Sequence, residues 1–371
     1  MKLAIPAEEQ FRAPAHHERV TSKIGLALAI TFTTCFVTGL ISHLIQHPPG
    51  WFSWPSRPVG LYRVTQGLHV ISGVASIPLL LAKLWSVYPK LFGRPLVRSL
   101  PHALERMSIL VLSGAAFFEL TTGLLNVAQN YPWGFYFPQV HYAVAWLAIG
   151  SILVHVAVKL PIIRRALSRT TVAEAPAEGL SRRGFLVTTG LAAGVAVVAT
   201  AGATVPFLRG VSALSWRTGK GTQDLPVNRT AAAAGVTLSP AWRLSVLTPR
   251  GTAKFSLDEL RALPQTTAEL PIACVEGWSQ SATWRGISLP TLLKAAGAAP
   301  GTAVRVSSSE RGGLYGVSVL PGEHTADELT LLALELNGEV LAPDHGFPCR
   351  IIAPNRPGVL QTKWVTKLEA L

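Results

Sequence analysis

The residue types that could carry chemistry fall into two groups: one cysteine in the second half of the chain and a set of histidines in the first. Cys274 stands in "CVEGWSQSATWRG" and is one of three cysteines in 371 residues. It follows the apolar run "LPI" and precedes a Gly-Trp pair, which places it where a strand ends and a loop begins, a common position for reacting groups. Three roles stay open for it: a soft metal ligand, a nucleophile, or an inert buried thiol.

Four histidines, His43, His69, His141 and His155, lie inside long apolar stretches, where an imidazole is costly without a partner. His141 and His155 are 14 residues apart, about four helical turns or ~21 Å, and so share one helix face. Such spacing would let one helix ligate two stacked b-type haems, but the residue 14 positions after His69 is Lys83. We therefore expect one b haem, held by His69 and His141. His43 in place of either, and a haem-free bundle with packing histidines, are the alternatives.

Glu119, in "FFELTTG", is a carboxyl group inside the third apolar stretch. Two interpretations are equally economical. It is either a proton acceptor for a quinol near the outer face or a buried hydrogen-bond partner within the bundle.

The composition, 49% hydrophobic and 14% charged, indicates a membrane protein. Four stretches are long enough to cross ~30 Å of hydrocarbon, at residues 24–45, 64–84, 107–127 and 140–160. Lys and Arg concentrate before the first, between the second and third, and after the fourth, whereas the other two connections are aromatic ("GWFSWPS", "NYPWGFYFP"). This asymmetry predicts a cytoplasmic N-terminus. It also accounts for the net charge of +13 without nucleic-acid binding.

A fifth apolar stretch, "SRRGFLVTTGLAAGVAVVATAGATVPFL", follows the linker "TTVAEAPAEG". Its paired arginines resemble an internal twin-arginine export signal, with an ordinary membrane anchor as the alternative. Both interpretations place the rest of the chain on the outer face. The predicted segments are a cytoplasmic tail (1–23), a four-helix membrane domain (24–165), a linker with the twin-arginine motif (166–183), an anchor (184–208) and an external domain (209–371).

The external part alternates β-prone runs ("WRLSVLT", "AVRVSSS", "CRIIAP") with two helical segments, "SLDELRAL" and "SLPTLLKAAG". Ser256 and Ser288 are the expected N-caps of those helices. The pattern predicts an α+β, mainly β domain. The usual signatures of nucleotide, nicotinamide and zinc sites are missing from the sequence.

The stretch "ELPIACVEGWSQSATWRGISLPTLLKAAGA" resembles the core of the sulfite oxidase-type molybdopterin oxidoreductases, in which a W-x-G turn leads into a Leu-rich helix. The similarity continues through "NGEVLAPDHGFPCRIIAPNRPGVLQTKW" and covers about residues 224–371. It implies that Cys274 is the protein ligand to molybdenum, unbridged to Cys349, and that Cys349 is a core residue in a strand. "VEGWS" is more similar to the bacterial periplasmic protein-methionine-sulfoxide reductase catalytic subunit than to sulfite oxidases.

The resemblance also implies a set of contacts to the pterin phosphate, from Asn228, Arg229, His345, Arg350 and Lys363. Arg229 as a solvated loop charge, and Lys363 contributing its backbone rather than its amine, remain alternatives.

Around the metal, the resemblance implies an aromatic hydroxyl from Tyr315 on the substrate side. Glu276 and Trp278 are expected to line the pocket, and Trp284 to serve in packing.

Together these patterns predict a multi-domain protein: a transmembrane bundle of four spans plus a fifth anchor helix, then a sulfite oxidase-type molybdopterin domain. The expected activity is oxygen-atom transfer at the outer face of the bacterial cytoplasmic membrane, with electrons exchanged with the quinone pool through the haem. Reduction of a sulfoxide or N-oxide is the favoured direction. Oxidation of sulfite or a related anion is one alternative, and a non-catalytic membrane scaffold is another. Membrane lipid and the twin-arginine export machinery are further expected partners.

Overall fold

The computed structural model describes residues 13–92, 97, 99–168, 180–216, 221–237, 239, 241–313 and 315–371. Most of the predicted cytoplasmic tail and most of the predicted 166–183 linker lie outside these residues. The chain forms two compact units. The first comprises Met1–Gly39, Leu68–Gly202 and Gly210–Trp216, and the second comprises Leu40–Gly67, Ala203–Arg209 and Arg217–Leu371.

Five long helices account for the predicted apolar stretches. They are α1 (Glu18–Gln46), α2 (Leu61–Val87), α3 (Leu100–Val127), α4 (Phe137–Ser168) and α5 (Arg182–Thr200). In the described part of the chain, these five are long and apolar enough to cross a membrane. Each of the first four extends beyond its predicted stretch, because a helix continues through flanking polar residues whose side chains can reach water.

Helix α5 begins and ends for local reasons. The Ser181 hydroxyl accepts a hydrogen bond from the Gly184 N–H at 3.1 Å, so the arginine pair opens the helix directly after its N-cap. The α-helix ends at Thr200, and single 3₁₀ turns follow at Ala201–Ala203 and Pro206–Leu208. The predicted anchor, 184–208, is therefore an α-helix only over its first two thirds. Pro206 opens the second 3₁₀ turn, at a position where its missing N–H is not needed.

The second unit contains two five-stranded sheets within its described residues. One has the order β2-β1-β10-β5-β6, and the other has the order β3-β4-β7-β8 with β9 paired to β7. Strands β1 and β10 are parallel, and the other pairs are antiparallel. The strands are β1 (Leu244–Thr248), β2 (Gly251–Phe255), β3 (Thr266–Ala273), β4 (Ser279–Ser288), β5 (Val304–Ser308), β6 (Val317–Leu320), β7 (Leu331–Leu336), β8 (Glu339–Val340), β9 (Arg350–Ile352) and β10 (Val365–Ala370).

Three short helices, α6 (Leu257–Ala262), α7 (Leu289–Ala295) and α8 (Gly322–Thr325), complete the unit. The main hydrophobic core joins alternate residues of the first sheet, such as Leu244 and Val246, to the apolar face of α7. The predicted mainly β, α+β domain is confirmed.

Local predictions in this unit have mixed outcomes. Ser256 caps α6 with a complete capping box. Ser288 precedes α7, but its hydroxyl is bonded to the Thr291 hydroxyl rather than to a helix N–H. The predicted turn at Trp-Arg-Gly is wrong, because these residues lie inside β4 at a bulge against β7. Gly286 is needed there, since a Cβ would stand 2.1 Å from the carbonyl oxygen of Leu332.

The second unit also includes the ends of helices α1 and α2 and their connection, residues 40–67, which are tied to the sheets by Asn355. The Asn355 side chain accepts a hydrogen bond from the N–H of Tyr62 at 2.6 Å and donates one to the carbonyl of Pro55 at 2.7 Å. Its backbone carbonyl accepts from the Trp54 indole at 2.9 Å, and its N–H donates to Val59. A buried asparagine from the C-terminal half thus supplies an orphan N–H at the start of α2 with an acceptor.

Replacing Asn355 is expected to destabilise this unit. Asn355→Ala removes two side-chain hydrogen bonds and places alanine at a φ of +53°, for a loss of about 2–4 kcal/mol. Asn355→Asp tolerates that φ and keeps the acceptor for Tyr62, so it should lose less. Thermal unfolding of the full chain in detergent, followed by near-UV circular dichroism, measures both. Equal transition temperatures for parent and Asn355→Ala would contradict this role.

Candidate active site

Cys274 directly follows β3, so the prediction that it stands where a strand becomes a loop is confirmed. Residues 274–278 form a tight turn, here called the thiol turn, before β4 begins. Its ends are closed by two backbone hydrogen bonds, from Cys274 N–H to the Trp278 carbonyl at 2.8 Å and from Gly277 N–H to the Cys274 carbonyl at 3.0 Å. Gly277 has a φ of +89°, which favours glycine. The thiol is held in a fixed place, and Cys274 is only 2% exposed.

The sulfur atom of Cys274 has a polar partner, Asn228, whose Nδ2 donates a hydrogen bond to Sγ at 2.8 Å. The Trp278 indole N–H donates to the Asn228 Oδ1 at 2.9 Å. An indole nitrogen can only donate, so it sets the orientation of the amide with oxygen towards Trp278 and nitrogen towards sulfur. The resemblance implied that Asn228 contacts a phosphate, whereas in the structure its side chain contacts the thiol.

Three backbone carbonyls, two in the thiol turn and one in the first residue of β4, accept hydrogen bonds from side chains of distant segments. Gln66 Nε2 donates to the Val275 carbonyl at 3.3 Å, and the Arg209 guanidinium donates to the Ser279 carbonyl at 2.7 Å. The Thr204 hydroxyl donates to the Gly277 carbonyl. These donors were not predicted from the sequence. Gln66 could have been identified from "LYRVTQGLHV", where tyrosine, glutamine and histidine recur at helical intervals on one face of an apolar helix.

Two buried arginines, Arg350 and Arg356, hold positive charge without an acidic partner among the described residues. Arg350 donates to the carbonyls of His345 and Gln361, and Arg356 donates to those of Leu360 and Val319. Burial lowers the pKa of Arg350 to about 9 and that of Arg356 to about 10. The Nε of Arg350 has no hydrogen-bond partner. Buried cations that lack counter-ions are suited to receive an anion.

Lys363 lies in the same part of the unit. Its amine donates to the carbonyls of Arg229 and Asp344, at 2.6 and 2.9 Å. Burial, followed by the charge of Arg350, lowers the pKa of Lys363 to about 7. A bound anion would favour the protonated amine and raise this pKa again.

Two other predicted phosphate contacts are already engaged. The Nε2 of His345 lies 2.6 Å from the carbonyl oxygen of Thr222, which can only accept, so Nε2 carries the proton. Burial lowers the pKa of His345 to about 4, which leaves the ring neutral at pH 7. The Arg229 guanidinium is 40% exposed and pairs with Glu310 at 3.1 Å, which favours the interpretation of a surface charge.

The structure places the predicted aromatic residues Tyr315 and Trp284 and the second buried cysteine of the domain, Cys349. Tyr315 lies between β5 and β6. Trp284 is fully buried and packs in the core, as predicted. Cys349 is a buried core residue, as predicted, but it directly precedes β9 and does not lie in the strand. Neither it nor Cys274 is part of a disulfide.

In the first unit, His69 and His141 are each oriented by a neighbouring helix. His69 Nδ1 lies 2.8 Å from the Cys35 carbonyl, and His141 Nδ1 lies 3.1 Å from the Thr122 hydroxyl. A histidine fixed at Nδ1 can offer Nε2 to a metal, but the Nε2 of His141 lies 3.2 Å from the Oε2 of Glu119. The haem and its ligand pair therefore stay a prediction.

Glu119 and the other predicted histidine, His43, also have partners. Glu119 Oε2 lies 3.2 Å from His141 Nε2, which agrees with the interpretation of a hydrogen bond inside the bundle. His43 belongs to the second unit, where its ring stacks on that of His47 at 4.8 Å.

Comparison with known proteins agrees with the geometry around Cys274. Residues 232–371 match the family model of the oxidoreductase molybdopterin binding domain. The C-terminal part of this chain is a sulfite oxidase-type molybdopterin-binding domain. This match identifies residues 232–371 as an oxidoreductase domain. The buried cations Arg350, Arg356 and Lys363 and the oriented thiol of Cys274 fit the anionic, metal-bearing cofactor for which this domain is named.

Three relatives are similar to parts of this chain. The "Uncharacterized oxidoreductase YuiH" of Bacillus subtilis is 30% identical over 31% of this chain and 57% of its own length. The sulfite oxidase of Arabidopsis thaliana is 28% identical over 32% of this chain and 38% of its own. The "Putative protein-methionine-sulfoxide reductase subunit YedZ1" of Azospira oryzae is 29% identical over 31% of this chain and 42% of its own. The chain thus spans about half the length of these relatives or less.

A glycine at the edge of the cationic group gives a test of the molybdopterin domain. Gly346 has a φ of +112°, and a Cβ there would stand 3.1 Å from the Cβ atoms of Arg350 and Lys363. Gly346→Ala should displace both cations and lower molybdenum content at least several-fold. Gly338 has a φ of +85° with open space around it, so Gly338→Ala should cost only the backbone strain, about 1 kcal/mol, and keep its metal. Metal analysis of both purified variants decides, and equal molybdenum contents would refute the assignment.

Proposed function

We propose that this protein is a membrane-anchored molybdenum-pterin oxidoreductase that transfers an oxygen atom at the outer face of the bacterial cytoplasmic membrane. The observation that carries the proposal is the Cys274 thiol, buried at the end of β3 and oriented by Asn228, within a domain that matches the molybdopterin-binding family. A thiol with a fixed position and a hydrogen-bond donor is prepared for a metal, because the donor stabilises the thiolate form.

The residues of the domain have separate tasks in this proposal. Cys274 holds the metal, and Arg350, Arg356 and Lys363 hold the anionic end of the pterin. When bound, the cofactor supplies the two-electron oxygen-atom chemistry. Tyr315 lies on the substrate side and orients the substrate oxygen through its hydroxyl. His345, neutral and bonded to Thr222, fixes the loop that carries Arg350.

Electrons would reach this domain from the quinone pool through one b haem held by His69 and His141. The support is that each ring is held at Nδ1, by Cys35 and Thr122 respectively, in a set of apolar helices. In the reducing direction, a quinol gives up two electrons and two protons. The substrate S=O group takes them, so that the S–O bond breaks and a sulfide and water leave.

Reduction of a sulfoxide-type substrate is the direction we favour. The "VEGWS" sequence of the thiol turn supports it, as does the similarity to a protein that bears the name of a methionine-sulfoxide reductase subunit. Oxidation of sulfite or a related anion is the alternative, because two sulfite oxidases are also among the relatives.

The topology belongs to the same proposal. Five apolar helices support multiple crossings of the membrane, and the distribution of Lys and Arg supports a cytoplasmic N-terminus. Arg182 and Arg183, at the start of α5, are the proposed recognition point for twin-arginine export. That route would deliver the domain to the outer face already folded.

Substitution of the thiol tests the catalytic proposal. Cys274→Ser should lose oxygen-atom transfer by at least about 100-fold, since metal ligation needs the thiolate. Cys349→Ala, at the other buried cysteine of the domain, should keep activity. The assays are quinol-dependent sulfoxide reduction and sulfite oxidation by the full chain, with molybdenum measured in each preparation. A parent protein without molybdenum would favour a non-catalytic scaffold, and faster turnover of sulfite would favour the alternative direction.

Substitution of the histidines tests the haem. The dithionite-reduced parent should show a b-type α band, which His69→Ala and His141→Ala remove because each takes away one iron ligand. His155→Ala is the matched control in α4 and should retain the band. Absence of the band in the parent, or its loss only in His155→Ala, would refute this ligand pair.

A further inference from the structure

We infer that Gln66, at the beginning of helix α2, is a positioning residue for the metal ligand Cys274. The contact that points to this role is its hydrogen bond to the carbonyl of Val275, the residue that follows Cys274. The inference rests on the proposed molybdenum function, and it deepens that function by making the ends of the apolar helices part of the site.

Three side-chain donors bond to alternate backbone carbonyls of the thiol turn and the first residue of β4. The carbonyls of Val275, Gly277 and Ser279 accept from Gln66, Thr204 and Arg209. All three donors come from segments 40–67 and 203–209, which adjoin apolar helices and belong to the same compact unit as the turn. The domain that binds the cofactor is therefore completed by residues outside its matched family region.

The amide of Gln66 is itself held in one orientation. Gln66 is buried, and its Oε1 accepts from the Tyr62 hydroxyl at 3.4 Å. The Tyr62 hydroxyl is in turn 3.0 Å from the Ser42 hydroxyl, and the Tyr62 N–H is bonded to Asn355. Since Oε1 faces Tyr62, Nε2 faces Val275. The chain of contacts from Ser42 through Tyr62 to Gln66 joins α1 and α2 to the thiol turn.

The bond to Val275 acts on Cys274 through the peptide plane. The carbonyl of Val275 belongs to the residue after Cys274. Holding this carbonyl in one direction restricts the backbone dihedral angles of the turn, which two backbone hydrogen bonds already close. The sulfur of Cys274 is held separately, by the hydrogen bond from Asn228. Residues of this kind, which orient a metal ligand without touching the metal, commonly change activity by about 10–100-fold when removed. Gln66 thus orients the backbone of the thiol turn, while Asn228 orients the sulfur.

The test compares Gln66→Leu with Gln46→Leu in the full chain. Leucine at 66 keeps the bulk and removes the donor to Val275. Gln46 is the matched control, because it lies at the end of α1 and its amide donates to the carbonyl and hydroxyl of Ser42, not to the thiol turn. Its removal leaves the contact between the Ser42 and Tyr62 hydroxyls in place. For Gln66→Leu we expect kcat to fall by about 10-fold, KM to change little, and the electron paramagnetic resonance signal of molybdenum to shift, while Gln46→Leu matches the parent.

Amide hydrogen exchange of the peptide containing residues 274–279, followed by mass spectrometry, gives a readout that needs no metal. Exchange in this peptide should be several-fold faster in Gln66→Leu than in the parent and in Gln46→Leu. Unchanged exchange would overturn the inference. Faster exchange with an unchanged molybdenum signal would also overturn it, because the turn would then move without moving the metal ligand. A parent without molybdenum would sink the proposed function instead, and the exchange result would still decide whether Gln66 holds the turn.

Discussion

The rest of the second unit depends on one constraint, the placement of a single thiol at the end of a strand. Backbone hydrogen bonds close the turn that follows β3, and Asn228 holds the sulfur of Cys274. Three side chains from two other segments, 40–67 and 203–209, bond to the carbonyls of residues 275, 277 and 279. Each bond contributes only about 1 kcal/mol to stability. Their combined effect is on position, since a ligand fixed from several sides has little freedom to leave its geometry.

The second constraint is electrostatic. Arg350 and Arg356 are buried with only carbonyl oxygens as partners, an arrangement that costs folding free energy unless an anion completes it. The guanidinium of Arg350 also lies 5.1 Å from the centre of the Trp284 ring, which recovers part of that cost. Stability is thereby traded for a site that accepts a negatively charged group, and ligand binding would return stability to the fold.

The helices obey a different rule. Within hydrocarbon a backbone must satisfy its own hydrogen bonds, so long apolar helices are the available solution, and polar groups among them need partners of their own. His69, His141 and Glu119 all have such partners in the first unit. At the beginning of α2, within the second unit, Tyr62 and Gln66 find theirs in Asn355 and Val275.

The sequence by itself determined the five apolar helices, the mainly β domain, the position of Cys274 after a strand and the family of that domain, because periodicity, apolar length and local motifs are properties of neighbouring residues. Tertiary structure alone decided that Asn228 contacts the sulfur of Cys274, that Trp-Arg-Gly lies in a bulged strand, and that Gln66 reaches Val275 across 209 positions of the chain. The physical reason is that hydrogen bonds between side chains and distant carbonyls depend on how the elements pack, and no local pattern encodes that packing.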